Sequence, residues 1–578
     1  MTAIAVATTI SSGRMQLVNV RQRALMIAKW RVLLVLFAFV FAASIASAKI
    51  AWLGIGQQGP QNLPLDVALR PDRAEIVDRN GVPLARALPA YSLWFAAQEV
   101  DGKSPLIKSP QAIAAELKAI FPDEDEARMT AQLASGKPGY IRRRLMPEEA
   151  NRVLALGEPA LQFPRETKRY YPQGSMAAFV LGYVDRDGLG QLGMERVLND
   201  RLLDPASRAT PSMLSIDVRV QGALEDAVAD AIRDSQAKGG AAVVLDVDTG
   251  EILGLASAPS FDPNRPVILD EGGQSLMHNI ISSQVFELGS VFKPLTVAAA
   301  IDAGTITDLS RRYTAGSEMM IAGAEVHDHK NFGASLNVPE ALIHSSNIVL
   351  AQVGEELGNA RLSAALRSLG FFEAPYIELP GRGVPMLPRD KEWSLMTTTR
   401  LAYGHGMAVT PLHLACAYAA LVNGGIWRPA TLMKLAPGAA PAGRRVFKAS
   451  TSARMRQLLR LIVDIGTGRS ANAPGYRVGG KTGTAEVGDQ FGYHKDRVVA
   501  TFASAFPMDN PRYVVIATMV EPKATAATHG QRTAAWNAAP IVGKVIPRIG
   551  PLLGILPDST RDVDISDLAP LVASGEGE

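Results

Sequence analysis

The chain has 578 residues, 47% of them hydrophobic and 20% charged, so it can bury large cores, and its length points to about two to four domains. A net charge of +3, without a Lys/Arg cluster interleaved with aromatics, excludes a nucleic-acid footprint. The single cysteine, Cys416, excludes an internal disulfide and a multi-cysteine zinc site, and its place in the apolar helical pattern Leu412-His-Leu-Ala-Cys-Ala-Tyr-Ala-Ala420 makes it a buried structural thiol.

Residues 1–31 carry Arg14, Arg21, Arg23, Lys29 and Arg31 without an acidic residue, and residues 32–48 carry no charge. With Ile50-Ala-Trp-Leu53 added, residues 32–53 are expected to form a membrane anchor, Lys49 snorkelling and Trp52 at the interface. The basic flank, a tail over 1–31, then lies in the cytoplasm and the rest of the chain outside it. A cleaved signal peptide is the competing reading, since Ala46-Ser-Ala48 is an acceptable cleavage site, but the basic region and the apolar stretch are both too long for one. Residues 54–72, rich in Gly, Gln and Pro, read as a linker.

Residues 73–215 are assigned to a non-catalytic module. Asn80-Gly81 between two apolar stretches predicts a hairpin within residues 75–85, and residues 110–157 are expected to be helical, with Arg142-Arg-Arg144 as a solvated face. From residue 216 the texture changes. A helix over residues 218–232 precedes strands over 241–247 and 251–256, and a second strand pair is expected at 498–503 and 513–519, with helices and loops between the pairs. The product is an antiparallel sheet with helices packed on it, in a domain spanning 216–556. Residues 557–578 read as a disordered tail.

Three polar clusters lie in this second domain. The first is Ser290-Val-Phe-Lys293, followed by the apolar run 295–301. If Ser290 opens a helix, residues three apart share a face, and a lysine desolvated by that run can take the serine proton. Ser235-Gln-Ala-Lys238 has the same spacing but reads as a solvated helix end. The second cluster is Ser345-Ser-Asn347, ahead of an apolar helix; Asn337 and Asn472 occur in similar triplets but read as a helix N-cap and a turn. The third is Gly479-Gly-Lys-Thr-Gly-Thr-Ala485. A phosphate-loop reading requires a strand before it and a helix after it, and neither pattern is present. The alternative is a sheet strand offering a cation and hydroxyls to a substrate carboxylate, with glycines allowing close approach. Serine with lysine three later, Ser-x-Asn and Lys-Thr-Gly, in that order, form the set used for acyl transfer by penicillin-binding proteins and class A β-lactamases. His327-Asp-His329 has metal-like spacing without a third ligand, so no metal is expected, and no cofactor.

With these motifs the chain resembles class B penicillin-binding proteins, most closely the division-specific peptidoglycan D,D-transpeptidases. Arg79-Asn-Gly81, residues 256–264 and Tyr403-Gly-His-Gly-Met-Ala-Val-Thr-Pro411 extend the likeness, while Ala74 and Val291 depart from it in minor ways. The resemblance implies a membrane-anchored α+β protein, with a penicillin-binding transpeptidase domain on an elongated pedestal. It makes Ser290 the nucleophile, Lys293 its base, Ser345 a proton relay and Asn347 the holder of the donor peptide amide. Lys481, Thr482, Gly483 and Thr484 would bind the terminal carboxylate side of the substrate, and the backbone N–H groups of Ser290 and Thr484 would form an oxyanion hole. Implied partners are peptidoglycan stem peptides, β-lactams as inhibitors, the inner membrane, a SEDS-family glycan polymerase and other division proteins at the septum. An elongation-type transpeptidase, or a β-lactamase or carboxypeptidase passing the acyl group to water, are the alternatives; the pedestal and the anchor argue against the last two.

Overall fold

In a computed structural model the described residues are 6–9, 15–18, 20–56, 73–97, 106–207, 209–266, 278–389, 393–489 and 492–572. The chain packs as two compact units, Met1–Leu69 with Pro89–Glu166, and Arg70–Leu88 with Thr167–Glu578. The expected module over 73–215 is therefore shared between them.

In the first unit a single helix, Val20–Gly56, runs through the expected anchor and starts earlier, taking in Lys29 and Arg31. Its segment Met26–Ser47 has 22 residues, is exposed, and is long and apolar enough to cross a membrane. Residues 110–157 are not helical throughout. Helices Pro110–Ile120, Glu126–Ala134 and Pro147–Leu154 surround a strand, Gly139–Leu145, that holds Arg142, Arg143 and Arg144. Its partner is the stretch Tyr91–Phe95, and pairing overrides the local pattern because the arginines find carboxylates: Arg142 meets Asp123 at 2.8 Å, and Arg143 donates to Glu166 at 2.6 Å.

The second unit begins with the predicted hairpin, in which Ile76 faces Ala85. Asn80 donates 2.9 Å to the Asp217 carboxylate, the N-cap of helix Val218–Ser235, so the turn is fixed to the start of that helix. The main sheet has five strands: β1 (Gly239–Asp246), β2 (Ile252–Ala258), β3 (Gly479–Asp489), β4 (Gly492–Phe506) and β5 (Tyr513–Val520). They lie in the order β2-β1-β5-β4-β3, every pair antiparallel. Alternation along β1 splits the core: Val243 and Leu245 join the large cluster around the buried helix Pro411–Val422, while Ala242 and Val244 pack with helices Val218–Ser235 and Ala539–Ile549. This is the helix-covered antiparallel sheet expected of the second domain.

Residues 557–572 are not a free tail. Both carboxylate oxygens of Asp562 share the Arg460 Nε–H, at 2.8 and 3.0 Å, and the Asp564 carbonyl accepts from Gln457 at 2.6 Å, both donors on helix Ala449–Ile465. Leu568 is buried, and the Leu571 carbonyl accepts from Asn337 Nδ2 at 2.6 Å. Low hydrophobicity concealed an anchorage that consists of ion pairs and single apolar contacts. Residues 573–578 fall outside the described set.

Candidate active site

Ser290 lies in a 3-10 turn, Gly289–Phe292, and the α-helix starts only at Lys293. The expected helix start at Ser290 is thus displaced by one turn. Pro294, which has no N–H to donate, belongs in the first helical turn, and the tighter turn before it places residues three apart in eclipse. Gly289 takes φ +61, and a Cβ there would lie 3.1 Å from the Thr484 carbonyl oxygen, so the turn rests against β3. Tyr418, buried in helix Pro411–Val422, donates 2.7 Å to the carbonyl of Val291 and ties the turn to the core.

Ser345 ends helix Val338–His344 in a left-handed conformation (φ 62, ψ 37), and Ser346 caps the next helix, Asn347–Leu357. Asn337 is indeed the N-cap of the first of these, in a capping box with Glu340. The Ser345 hydroxyl accepts from Lys293 Nζ at 3.1 Å and from Lys481 Nζ at 3.0 Å, and Lys293 Nζ also donates to the Ser345 carbonyl. Both lysines are fully buried. Three sequence clusters thus meet on one hydroxyl.

Burial holds the Lys293 amine well below the usual lysine range, the charge of Lys481 pushes it further in the same direction, and Asp328 opposes them. Burial alone brings Lys481 down to about 7. Lys481 stands on the edge strand β3 and also donates to the Thr482 carbonyl at 3.0 Å. Thr482 Oγ1 is 2.8 Å from Thr467 Oγ1, and Thr484 Oγ1 accepts from the Ala534 N–H at 3.0 Å. At Gly483 a Cβ would fall 2.3 Å from the Leu288 carbonyl oxygen and 2.9 Å from Val291 Cγ1, so only glycine lets the strand lie this close to the Ser290 turn. The same holds at Gly404, where a Cβ would sit 2.0 Å from the Gly289 oxygen. Glu287, three residues before the nucleophile candidate, accepts from the Gly406 N–H at 3.2 Å.

Asp328 was missed in the sequence because a lone aspartate between histidines on a polar loop carries no period. It is buried, and its carboxylate receives Ser346 Oγ at 2.6 Å and the N–H groups of Asn347 and Ile348. His327 and His329 on either side of it are both exposed, and the His329 ring lies edge-on to Phe332, 4.9 Å between centroids. Ser235 ends its helix with its hydroxyl buried on the Ala231 carbonyl, 2.6 Å away, rather than solvated, and Lys238 is exposed beside Glu521.

A serine on a tight turn, a buried amine three residues on, and a second cation on a sheet edge define a site for acyl transfer through a serine ester. Residues 240–545 match the penicillin-binding protein transpeptidase domain, and residues 68–203 the penicillin-binding protein dimerisation domain. The chain is 37% identical to a probable peptidoglycan D,D-transpeptidase FtsI of Caulobacter vibrioides, over 91% of this chain and 89% of that one. It is 27% identical to peptidoglycan D,D-transpeptidase FtsI of Escherichia coli, over 95% and 96%. Penicillin-binding protein 3 of Mycobacterium tuberculosis, solved with ampicillin, superimposes with a TM-score of 0.65 at 26% identity, covering 86% of this chain and 99% of that one. The chain belongs to the penicillin-binding protein transpeptidases, in the class B group that carries a dimerisation domain ahead of the catalytic one. It is a serine-type peptidoglycan D,D-transpeptidase, most similar to relatives of the FtsI type.

Proposed function

We propose that Ser290 attacks the penultimate D-alanine carbonyl of a stem peptide, and that the reaction cross-links two peptidoglycan strands at the division septum. Lys293, whose proton affinity burial lowers, takes the Ser290 proton as the C–O bond forms. The negative charge on the carbonyl oxygen falls to the backbone N–H groups of Ser290 and Thr484, each worth about 3–4 kcal/mol in comparable acyl transfers. The proton then passes through the Ser345 hydroxyl to the departing nitrogen, the C–N bond breaks, and D-alanine leaves. An amine of a neighbouring stem peptide attacks the ester, and Ser290 recovers its proton. Asn347 holds the donor amide, while Lys481 with Thr482 and Thr484 receives the terminal carboxylate and Gly483 keeps the strand close.

The observation that carries this reading is the Ser345 hydroxyl shared by two buried amines, one following the nucleophile and one on the strand edge. β-Lactams, which present a strained amide beside a carboxylate, are inhibitors through the same ester. The helix at residues 26–47 supports an inner-membrane anchor, with the N-terminus cytoplasmic and the catalytic domain periplasmic. A SEDS-family glycan polymerase and other division proteins are the proposed partners. The test is labelling with a fluorescent penicillin followed by peptide mapping. The label is expected on Ser290 alone, absent from Ser290→Ala and unchanged in Ser235→Ala; undiminished labelling of Ser290→Ala would sink the assignment.

A further inference from the structure

Ser345 and Asn347 stand on a crossing where one helix ends and the next begins within two residues. Such a junction has little rigidity of its own. Ser345 is held in the left-handed region, unusual for a residue other than glycine, and the first N–H groups of the second helix have no intrahelical acceptor. Ser346 satisfies one of them, accepting from Val349 N–H at 3.2 Å. The others are met from outside the junction. Asp328, which follows the strand Ala324–His327, puts one oxygen on the N–H groups of Asn347 and Ile348 and the other on the Ser346 hydroxyl. Next to it the His327 carbonyl accepts from Asn347 Nδ2 at 2.9 Å, so the same segment orients the Asn347 side chain.

We propose that Asp328 is a positioning residue for transpeptidation: its buried carboxylate locks the Ser345–Asn347 crossing, and thereby holds the Ser345 hydroxyl between the Lys293 and Lys481 amines. The negative end of the cap also lies within the electrostatic reach of Lys293, whose other charged neighbour is Lys481. His329, which is exposed, and His405, which is partly buried, are themselves influenced by the Lys293 charge. One carboxylate therefore fixes the relay hydroxyl and supports the proton affinity of the base. The inference rests on the acyl-transfer reading above.

The test measures acylation of the full chain by a fluorescent penicillin across pH, together with thermal melting. Asp328→Asn retains the shape and one acceptor but loses the charge. Acylation is expected to fall on the order of 10–100-fold, as for an ångström-scale misplacement of a reacting group. The acid limb of the rate–pH profile is expected to move to lower pH, because removing a negative charge beside a lysine makes its protonated form less favourable. A helix cap of purely structural importance would lower the melting temperature and leave that limb in place. An unmoved acid limb, or a rate within about twofold of wild type, overturns the proposal. Should Asp328→Asn not fold, Ser346→Ala removes one donor to the carboxylate and keeps its charge: a several-fold slower acylation with the limb in place supports the proposal, and a wild-type rate overturns it. Failure of the underlying reading is distinct, because it shows as persistent labelling of Ser290→Ala.

Discussion

Gly483→Ala is the sharpest perturbation of the meeting between β3 and the Ser290 turn. The new Cβ would lie 2.3 Å from the Leu288 carbonyl oxygen and 3.0 Å from the Val291 nitrogen. Backbone atoms cannot rotate aside, so the strand and the turn must separate by about 1 Å, a displacement that costs about 10²-fold when it separates reacting groups. That corresponds to roughly 2.7 kcal/mol of lost transition-state stabilisation. Overpacking would also lower stability by about 1–3 kcal/mol, which leaves a domain of this size folded at room temperature. The assay is the time course of penicillin acylation at several concentrations, read beside a melting curve. Gly222→Ala is the control: it sits inside helix Val218–Ser235, its Cβ would meet only the flexible Met176 Cε at 3.4 Å, and it should add up to about 1 kcal/mol of stability without changing the rate. Acylation of Gly483→Ala within threefold of wild type would refute the argument that close approach at this glycine builds the site.

Lys481→Ala should slow acylation by donors with a free terminal carboxylate far more than by their amides, since a hydrogen bond to a charged group contributes about 1.5–3 kcal/mol; equal slowing rejects this. Because burial brings Lys481 to about 7 in the free protein, binding of carboxylate donors should weaken as pH rises above that value and the amine loses its proton, measurable as a rising dissociation constant. The penicilloyl enzyme should persist for tens of minutes: deacylation near about 3 × 10⁻⁴ s⁻¹ corresponds to a barrier of roughly 22 kcal/mol, against roughly 13 for a competent β-lactamase. Steady-state hydrolysis of a chromogenic cephalosporin at many turnovers per second would contradict it. Ending the chain after Leu556 should lower the melting temperature and slow acylation, because Arg460 loses the Asp562 carboxylate, Asn337 Nδ2 loses the Leu571 carbonyl, and Asn337 caps the helix that ends at Ser345; an unchanged melting curve would show that the segment only lies on the surface.

What was legible in the sequence is what short-range chemistry writes there. The apolar strand run of β1, the Asn80-Gly81 turn, the Asn337 N-cap and the spacing of the three clusters each depend on neighbours in sequence, and each is found in the structure. What could not be read depends on partners far along the chain. Residues 139–145 become a strand because a second strand and distant carboxylates receive them, although helices flank them on both sides. Residues 557–572 attach through arginines about a hundred positions earlier, and Asp328 gains its meaning from N–H groups in the crossing at 346–348. The hydroxyl shared by Lys293 and Lys481 could be expected from the motifs only as a set of roles; its geometry is a property of the folded sheet and helices.

The sealed thiol of Cys416 has a practical use. It is 6% exposed within helix Pro411–Val422, and burial pushes it up to about 12, so almost none of it is thiolate at neutral pH. Since this is the chain's single cysteine, the native protein is already a silent background for thiol chemistry. A cysteine placed by design at any exposed position can take a maleimide dye, a spin label or a crosslinker alone, so motions around Ser290 can be followed without first rebuilding the core.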